Sequence, residues 1–370
     1  MANKQNTSNG KIVFFSIISF IIGFLASYLV VAPTILEPIE EDSPINATNL
    51  EINIIMMGNI YNGDCIYIKA GETDILVDAG SRQSSAANIK NYIFDDKANH
   101  AYVSDGKLEY VIATHADQDH IAGFVGTVKE PGILKDSNIE VDTIIQFSRS
   151  DKTTQIYQDY CAAVDEIEAK GTKVYTALEC WNNENGASRV IQVADGIEIE
   201  ILYNHYYENK ASDENDYSVC FMLRRGNEQY LFTGDLEGHG EQYLVQNNNL
   251  GEVYFFKMGH HGSYSSSTDT LLSIIQPKVV VASCTAFYNE YKANEENIFP
   301  AQASVSRLAK VGSIEKFYVT QMASDNEAGF EPANGNIVIK ANDNGTTIEC
   351  SASDKNFFEF EIFKKYRSWS

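Results

Sequence analysis

A polar segment that directly follows an apolar strand is the feature that most constrains this chain. Residues 114–120 read THADQDH and contain four potential metal ligands: His115, Asp117, Asp119 and His120. Imidazole and carboxylate groups at this density suit borderline or hard divalent ions such as Zn or Mn. In an extended turn, His115 and Asp117 point the same way and can share one ion, while Asp119 and His120 face a second. The alternative is an exposed loop in which Asp119 caps the following helix.

Two later segments repeat this arrangement at the ends of apolar strands. Residues 232–235 (FTGD) place the carboxylate of Asp235 there, and residues 257–263 (KMGHHGS) supply His260 and His261. Each segment alone is weak evidence, because Thr-Gly-Asp turns and paired histidines are common on protein surfaces. Four of the seven histidines nevertheless fall in two strand-end segments, so the combination predicts one metal site.

Short strands and helices alternate along the chain after residue 50. The predicted strands are residues 51–57, 64–70, 74–80, 109–113, 141–146, 197–202, 218–223, 230–232, 253–257 and 278–282. The predicted helices are residues 86–94, 154–170, 237–246, 269–275 and 302–311. Strands that begin in hairpins and then alternate with helices indicate a single layered α/β domain. Residues 129–189 read as variable covering structure around it.

The N-terminus differs in composition from the rest of the chain. Residues 12–31 contain no charged side chain, and a helix rising about 1.5 Å per residue would carry them across the hydrocarbon core of a bilayer. Lys4 and Lys11 precede this run and acidic residues follow it, so the positive-inside rule places the later residues outside the cytoplasm. A cleaved signal peptide is the alternative. The predicted segments are a cytoplasmic N-terminus (1–11), a transmembrane anchor (12–31), a spacer (32–50), one domain (51–345) and a C-terminal tail (346–370).

The chain is strongly acidic. It contains 28 Lys and Arg residues against 51 Asp and Glu residues, a formal charge of −23. Binding of nucleic acid over a broad surface depends on Lys and Arg side chains that neutralise phosphates, so the composition argues against a long nucleic-acid track. Bound cations would dominate the local field at a metal site. The acidity therefore does not exclude cleavage of a single phosphodiester bond.

The order and spacing of these motifs resemble the metallo-β-lactamase fold superfamily. Its HxHxDH signature is matched by residues 115–120, and Asp in the second position is similar to the extracellular hydrolase domain of the competence protein ComEC. Further segments that match this ComEC-like group are residues 63–65, 75–80, 215–219, 231–237 and 259–263 with Ser266 and Ser267. The resemblance covers about residues 51–340. It implies an αββα sandwich, which here would be preceded by one N-terminal transmembrane helix.

The resemblance implies a site for one or two divalent ions, Zn or Mn. The implied ligands are His115 and Asp117 for one ion, Asp119 and His120 for the other, Asp235 as a bridge, and either His260 or His261 to complete the second set. Asp119 and Asp235 would be the catalytic carboxylates. Asp78 would orient a ligating imidazole, although a turn-forming role after a buried strand is an equal alternative.

Some parts of the superfamily pattern have no clean counterpart. The third His ligand is missing, and His205, Asp213 and Asn215 lie in its region; His205 and Asn215 are the candidates for its place. Ser263 and Ser266 are candidates for substrate contact, with capping of the following helix as the alternative.

The implied function is that of a bacterial, membrane-anchored, extracytoplasmic metal-dependent hydrolase. It would cleave phosphodiesters, with DNA as the substrate that the resemblance implies, through a hydroxide generated at the metal ions. Two alternatives stay open. One keeps the chemistry and changes the substrate to cell-envelope phosphodiesters or small phosphate esters. The other is a metal-stabilised binding protein without turnover.

Overall fold

The computed structural model of this chain describes residues 47–290, 298–324 and 329–370. The predicted anchor at residues 12–31, the cytoplasmic segment before it and most of the spacer after it lie outside the described residues. Within the described part, no helix combines the length and the apolar composition that crossing a membrane requires. The described residues form one compact unit.

Sixteen strands are present in the described residues. The first six are β1 (Leu50–Ile54), β2 (Ile66–Ala70), β3 (Thr73–Val77), β4 (Lys107–Ala113), β5 (Glu140–Gln146) and β6 (Lys173–Thr176). The next eight are β7 (Val190–Ala194), β8 (Ile197–Ile201), β9 (Phe221–Arg225), β10 (Glu228–Phe232), β11 (Phe255–Lys257), β12 (Val279–Ala286), β13 (Lys316–Ala323) and β14 (Phe330–Pro332). The last two are β15 (Ile337–Asn342) and β16 (Gly345–Cys350).

These strands form two eight-stranded mixed sheets. The first sheet has the order β16-β15-β1-β2-β3-β4-β5-β6, and the second has the order β14-β13-β12-β11-β10-β9-β8-β7. In the first sheet, β3 to β6 run parallel. In the second sheet, β10 to β13 run parallel. The carboxyl ends of the parallel strands in one sheet lie along one edge, which is where α/β proteins place their ligands.

The described residues contain eight α-helices, of which seven lie between strands and the last follows β16. They are α1 (Ser85–Ile93), α2 (Gln118–Val125), α3 (Gln155–Glu168), α4 (Ala177–Asn182), α5 (Gly238–Asn247), α6 (Asp269–Ile275), α7 (Gln302–Leu308) and α8 (Glu361–Tyr366). Local sequence explains several of their starts. The Thr154 hydroxyl accepts a hydrogen bond from the Tyr157 amide at the start of α3, and the Thr268 hydroxyl accepts one from the Leu271 amide at the start of α6. Both are ordinary N-caps.

Alternation of side chains along the strands separates the layers. On β9, Phe221 and Leu223 belong to the core between the sheets, whereas Met222 belongs to the second apolar cluster beneath α5 to α7. On the first sheet, Ile89 of α1 and Phe124 of α2 join the inner cluster from the outer face. Strands covered on both faces are typical of α/β proteins. The predicted sandwich, with helices outside two stacked sheets, is therefore what the described residues form.

The C-terminal residues are part of this fold and correct the boundary expected at residue 345. Strand β16 pairs with β15, which pairs antiparallel with β1. Beyond it, Phe357 and Phe363 are fully buried in the apolar cluster of the second sheet. Residues 346–370 thus contribute a strand and core side chains rather than a separate tail.

Candidate metal centre

Three buried histidines, His115, His120 and His261, direct their Nε2 atoms into the same space. His120 Nδ1 lies 2.7 Å from Asp78 Oδ2, and His261 Nδ1 lies 2.8 Å from the Ser283 carbonyl oxygen. His115 Nδ1 lies 3.1 Å from Thr114 Oγ1. Because each Nδ1 has a partner on the outer side, each Nε2 is left to face inward with its lone pair.

Asp235 lies between two of these imidazoles. Its Oδ2 is 3.2 Å from His120 Nε2 and 3.2 Å from His261 Nε2. Asp119 Oδ2 lies 3.3 Å from His261 Nε2. We call Asp119, His120, Asp235 and His261 the inner group. Strands from both sheets supply it, since the first two residues follow β4 and the last two follow β10 and β11.

His115 and Asp117 form a second, smaller set, which we call the outer pair. Asp117 Oδ2 lies 3.6 Å from His115 Nε2. Asp117 is the N-cap residue of α2, but its side chain makes no capping hydrogen bond. Its other carboxylate oxygen forms an ion pair with Lys152. The helix therefore does not use the Asp117 carboxylate, which faces the cluster instead.

Four buried polar atoms of this cluster make no hydrogen bond. The Nε2 atoms of His115, His120 and His261 and the Oδ1 atom of Asp235 are buried without one. Buried polar atoms are nearly always satisfied, so four such atoms in one place indicate a missing partner. Ligand atoms of His115, His120 and Asp235 lie within 4.8 Å of one another, as do those of Asp119, His120 and His261. Nitrogen and carboxylate donors in this arrangement fit a divalent cation such as Zn or Mn.

Carboxylates and imidazoles in the cluster shift one another's pKa values strongly. Burial alone would raise the pKa of Asp235, but His120 and His261 hold it well below its usual value. Burial alone would lower the pKa of His120, but Asp235 and Asp78 raise it well above its usual value. The same opposition of burial and carboxylates raises the pKa of His261. A divalent cation would satisfy this negative field and displace the protons from the imidazoles.

A buried ion pair that was not predicted supports the inner group. Lys257 Nζ lies 2.7 Å from Asp64 Oδ2, and both side chains are almost fully buried. Asp64 Oδ1 lies 3.4 Å from His261 Nδ1. Lys and Asp are almost never fully buried unless they are paired. A lysine at the end of the apolar strand β11 was therefore the signal in the sequence that a buried acidic partner exists.

The backbone of Asp64 also contacts the inner group. Its amide donates to the Asp119 carbonyl oxygen at 3.2 Å, and its own carbonyl oxygen accepts from the Gly80 amide at 2.8 Å. A Cβ atom at Gly80 would lie 1.8 Å from the Asp119 carbonyl oxygen. Only glycine allows this approach, which sets the position of the Asp119 backbone.

Three residues of the site have left-handed backbone conformations. Asp78 has a φ of 55°, His260 of 46° and His261 of 55°. Non-glycine residues in this region carry strain, and they cluster at functional sites. Asp78 also accepts hydrogen bonds from the Thr114 amide and hydroxyl, at 2.8 and 2.7 Å. The structure thus places Asp78 against His120, as expected of a residue that orients an imidazole.

His260 and the two third-motif candidates lie away from the cluster's centre. His260 Nδ1 is 3.3 Å from Glu237 Oε1, so of the histidine pair it is His261 that joins the inner group. His205 stacks on Tyr243 with ring centroids 4.1 Å apart. The Asn215 amide donates to Asp213 Oδ1, and the Asn215 side chain contacts Glu237.

Serine occupies the neighbourhood where a third histidine was sought. Ser218 Oγ lies 3.5 Å from His115 Nδ1 and accepts a hydrogen bond from the Asp235 amide at 3.0 Å.

Ser266 Oγ donates to the Leu236 carbonyl oxygen, and Ser263 Oγ pairs with Ser265 Oγ. These contacts hold the loop after β11 together. Substrate contact by Ser263 and Ser266 stays a prediction.

A family model described as the metallo-beta-lactamase superfamily matches residues 58–146 and 213–286. The matched ranges contain Asp64, Asp78 and all the ligand candidates of the inner group and the outer pair. The chain carries a domain of the metallo-β-lactamase superfamily, and the resemblance inferred from the motifs is confirmed.

Curated relatives of this domain include two larger proteins. ComE operon protein 3 from Bacillus subtilis (strain 168) is 27% identical over 180 residues, 48% of this chain and 20% of that protein. Competence protein ComA from Neisseria gonorrhoeae is 35% identical over 106 residues, 28% of this chain and 15% of that protein. The chain thus spans at most a fifth of these relatives. Among solved structures, the metallo-beta-lactamase fold protein YhfI from Bacillus subtilis has a TM-score of 0.36 at 12% identity, covering 74% of this chain and 86% of that one.

Proposed function

We propose that this chain is a metal-dependent hydrolase of phosphodiesters. The observation that carries the proposal is the convergence of three buried imidazole nitrogens that make no hydrogen bond: those of His120 and His261 lie 3.2 Å from Asp235 Oδ2, and that of His115 belongs to a ligand group with Asp235 within 4.8 Å. Aspartate makes up much of the ligand set, and hard oxygen donors suit Mn or Zn acting at phosphate. The inner group would hold one ion through Asp119, His120, Asp235 and His261, and the outer pair is the candidate for a further ion.

Each part of the site has a separate task in this reaction. A bound divalent cation supplies Lewis-acid polarisation of a phosphoryl oxygen and of the attacking water. Asp119 has the most accessible side chain of the inner group, at 17%, so its carboxylate would accept a proton from the water. Asp78 and the Ser283 carbonyl oxygen keep the imidazoles of His120 and His261 in the orientation that cation binding needs.

Supporting evidence for a DNA substrate comes from the relatives and not from the site itself. The curated relatives include a protein named for competence and one named Recombination protein 2, from Haemophilus influenzae. The formal charge of −23 speaks against a long binding track. We therefore propose DNA as the substrate to test first and cell-envelope or small phosphate esters as the alternative.

The apolar run at residues 12–31 supports a location at the cell membrane. We propose a single-pass anchor with the catalytic domain outside the cytoplasm. Protease treatment of intact spheroplasts checks this: the domain should be digested without lysis, and a domain protected until the cells are lysed would contradict the orientation.

The full chain, stripped of metal and reloaded with Mn or Zn, tests the proposed activity. Single-stranded DNA, bis-p-nitrophenyl phosphate and a β-lactam are the three substrates. We expect metal-dependent cleavage of a phosphodiester, lost in Asp119→Ala and Asp235→Ala and retained in His205→Ala, whose side chain stacks on Tyr243. Protein that retains metal but turns over none of the three would instead support a binding protein without turnover, which the lysine beside Asp117 makes a serious second candidate.

A further inference from the structure

The outer pair has a cation of its own. Lys152 forms an ion pair with one carboxylate oxygen of Asp117, while the other oxygen faces His115 Nε2 at 3.6 Å. About a third of the Lys152 side chain and a quarter of the Asp117 side chain are exposed. The ammonium group therefore lies at the open side of the cluster and shares a carboxylate with any ion that His115 would bind.

Lys152 is held in place by the loop between β5 and α3. Its backbone amide donates to Ser150 Oγ at 3.0 Å. The neighbouring Asp151 amide donates to Glu214 Oε2 at 3.1 Å, and the Tyr217 hydroxyl donates to Asp151 Oδ2 at 3.1 Å. The loop is thus fastened to the short 3₁₀ helix Glu214–Tyr217. These contacts fix the position of the Lys152 backbone.

The two sets of ligands differ in what they offer an ion. The inner group supplies four protein donors, enough to close a tetrahedral site. The outer pair supplies only His115 and one oxygen of Asp117; the other donors near it, His120 and Asp235, are shared with the inner group, since ligand atoms of His115, His120 and Asp235 lie within 4.8 Å of one another. A divalent ion there would also lie close to the Lys152 ammonium, whose positive charge opposes it.

We propose that Lys152 is the fixed cation of the outer pair and stands in for a second metal ion. The chain then binds one divalent ion tightly, at the inner group, and Lys152 weakens the binding of a second. The part of this proposal that concerns substrate rests on the proposed function: the ammonium group would contact the anionic phosphodiester oxygens on the outer side, as a second ion does in two-metal sites.

Titration of the metal-free full chain with Mn²⁺ tests the stoichiometry without any turnover. Ion binding is followed by equilibrium dialysis, and electron paramagnetic resonance separates an isolated Mn²⁺ from a coupled pair. Wild-type protein should bind one ion and give the isolated spectrum. Lys152→Met should bind a second ion about tenfold more tightly or better, because a like charge is removed beside it, and should give the coupled spectrum.

Two further variants serve as controls. Lys152→Arg keeps the charge and should behave as wild type. Lys210→Met removes an exposed lysine whose Nζ lies 3.5 Å from Oδ2 of Asp151, the residue before Lys152. This variant too should behave as wild type. Wild-type protein that binds two ions with equal affinity overturns the proposal, as does a Lys152→Met protein with unchanged second-ion binding.

Asp117→Asn provides a second route should Lys152→Met fold poorly. It removes the carboxylate that Lys152 shares with the outer pair, so the affinity for the first ion should stay within about threefold of wild type, a change of well under one kcal/mol by the affinity relation. A loss of the first ion in this variant would place that ion at the outer pair and would contradict the proposal. Absence of hydrolysis in every variant would refute the proposed function while leaving these binding results intact.

Discussion

The outer pair and two of the four inner-group residues come from one six-residue motif, at positions 115–120, yet the fold supports the two sets differently. In the inner group, the imidazoles of His120 and His261 are fully buried and are fixed by a carboxylate and a backbone carbonyl oxygen. In the outer pair, Asp117 is a quarter exposed and paired with a lysine from a surface loop. The sequence motif thus supplies ligands, but the supporting contacts decide how firmly each set can hold an ion.

The largest expected effect comes from removing a ligand of the inner group. His261→Ala should abolish tight metal binding and lower any hydrolytic rate by about three orders of magnitude, because the loss of the cation removes the stabilisation of transition-state charge. His260→Ala is the matched control, because His260 pairs with Glu237 instead. This variant should keep its metal. Metal content by mass spectrometry and phosphodiester turnover measure both. Equal losses in the two variants would erase the distinction drawn between the adjacent histidines.

Gly80→Ala tests whether the stability of the protein depends on the close approach of the Gly80 and Asp119 backbones. The added Cβ atom would lie 1.8 Å from the Asp119 carbonyl oxygen, and neither backbone can yield easily. Such overpacking should lower the free energy of unfolding by about 3 kcal/mol. Urea denaturation of the metal-free protein measures it. Gly312→Ala is the control, because no atom lies within 4 Å of a Cβ built there. A Gly80→Ala protein as stable as this control would show that the backbone around Gly80 and Asp119 shifts easily to accommodate the added methyl group.

Much of the fold and part of the site follow from the sequence for a physical reason. Strands such as β4 and β11 are short apolar runs whose polar ligands begin where the strand ends, so local pattern suffices. Strands β15 and β16 were not predicted because their place in the sheet depends on a long-range partner: β15 pairs with β1, almost 300 residues earlier in the chain, and β16 pairs with β15. The Asp64–Lys257 pair and Lys152 escape prediction for the same reason, since each joins segments far apart in sequence.

Changing a residue that orients a ligand of the inner group should lower metal affinity less than removing the ligand itself, but more than changing the outer pair. Asp78→Asn keeps the size of the side chain and weakens its hydrogen bond with His120 Nδ1, now 2.7 Å long. Metal affinity should fall by about 10- to 100-fold, as is usual when such a partner is lost. Competition with a chelator measures this. An unchanged affinity would favour the plain turn-forming role of Asp78 that its place after β3 also allows.

Asp216 belongs to neither group and provides a comparison with Asp235. It is about as buried as Asp235, but it accepts a hydrogen bond from a backbone amide, that of Glu237. Burial raises the pKa of Asp216 to about 6, whereas the histidines lower that of Asp235. A carboxyl group with a raised pKa costs stability only when it is ionised. Below about pH 4 it is protonated in both the folded and the unfolded chain. From pH 4 to 6 the unfolded chain ionises first, so the free energy of unfolding falls, and above pH 6 this cost is constant.

Asp216→Asn should therefore be more stable than wild type by about 2 kcal/mol at pH 7.5 and equally stable at pH 4. The difference between the two denaturation curves, measured at several pH values, isolates this group from other carboxylates that titrate in the same range. Asp235→Asn supplies the opposite sign, because a lowered pKa adds stability above pH 4 that is lost as the pH falls. If the two variants showed the same pH dependence, the histidines of the inner group would not be the cause of the contrast between these two buried carboxylates.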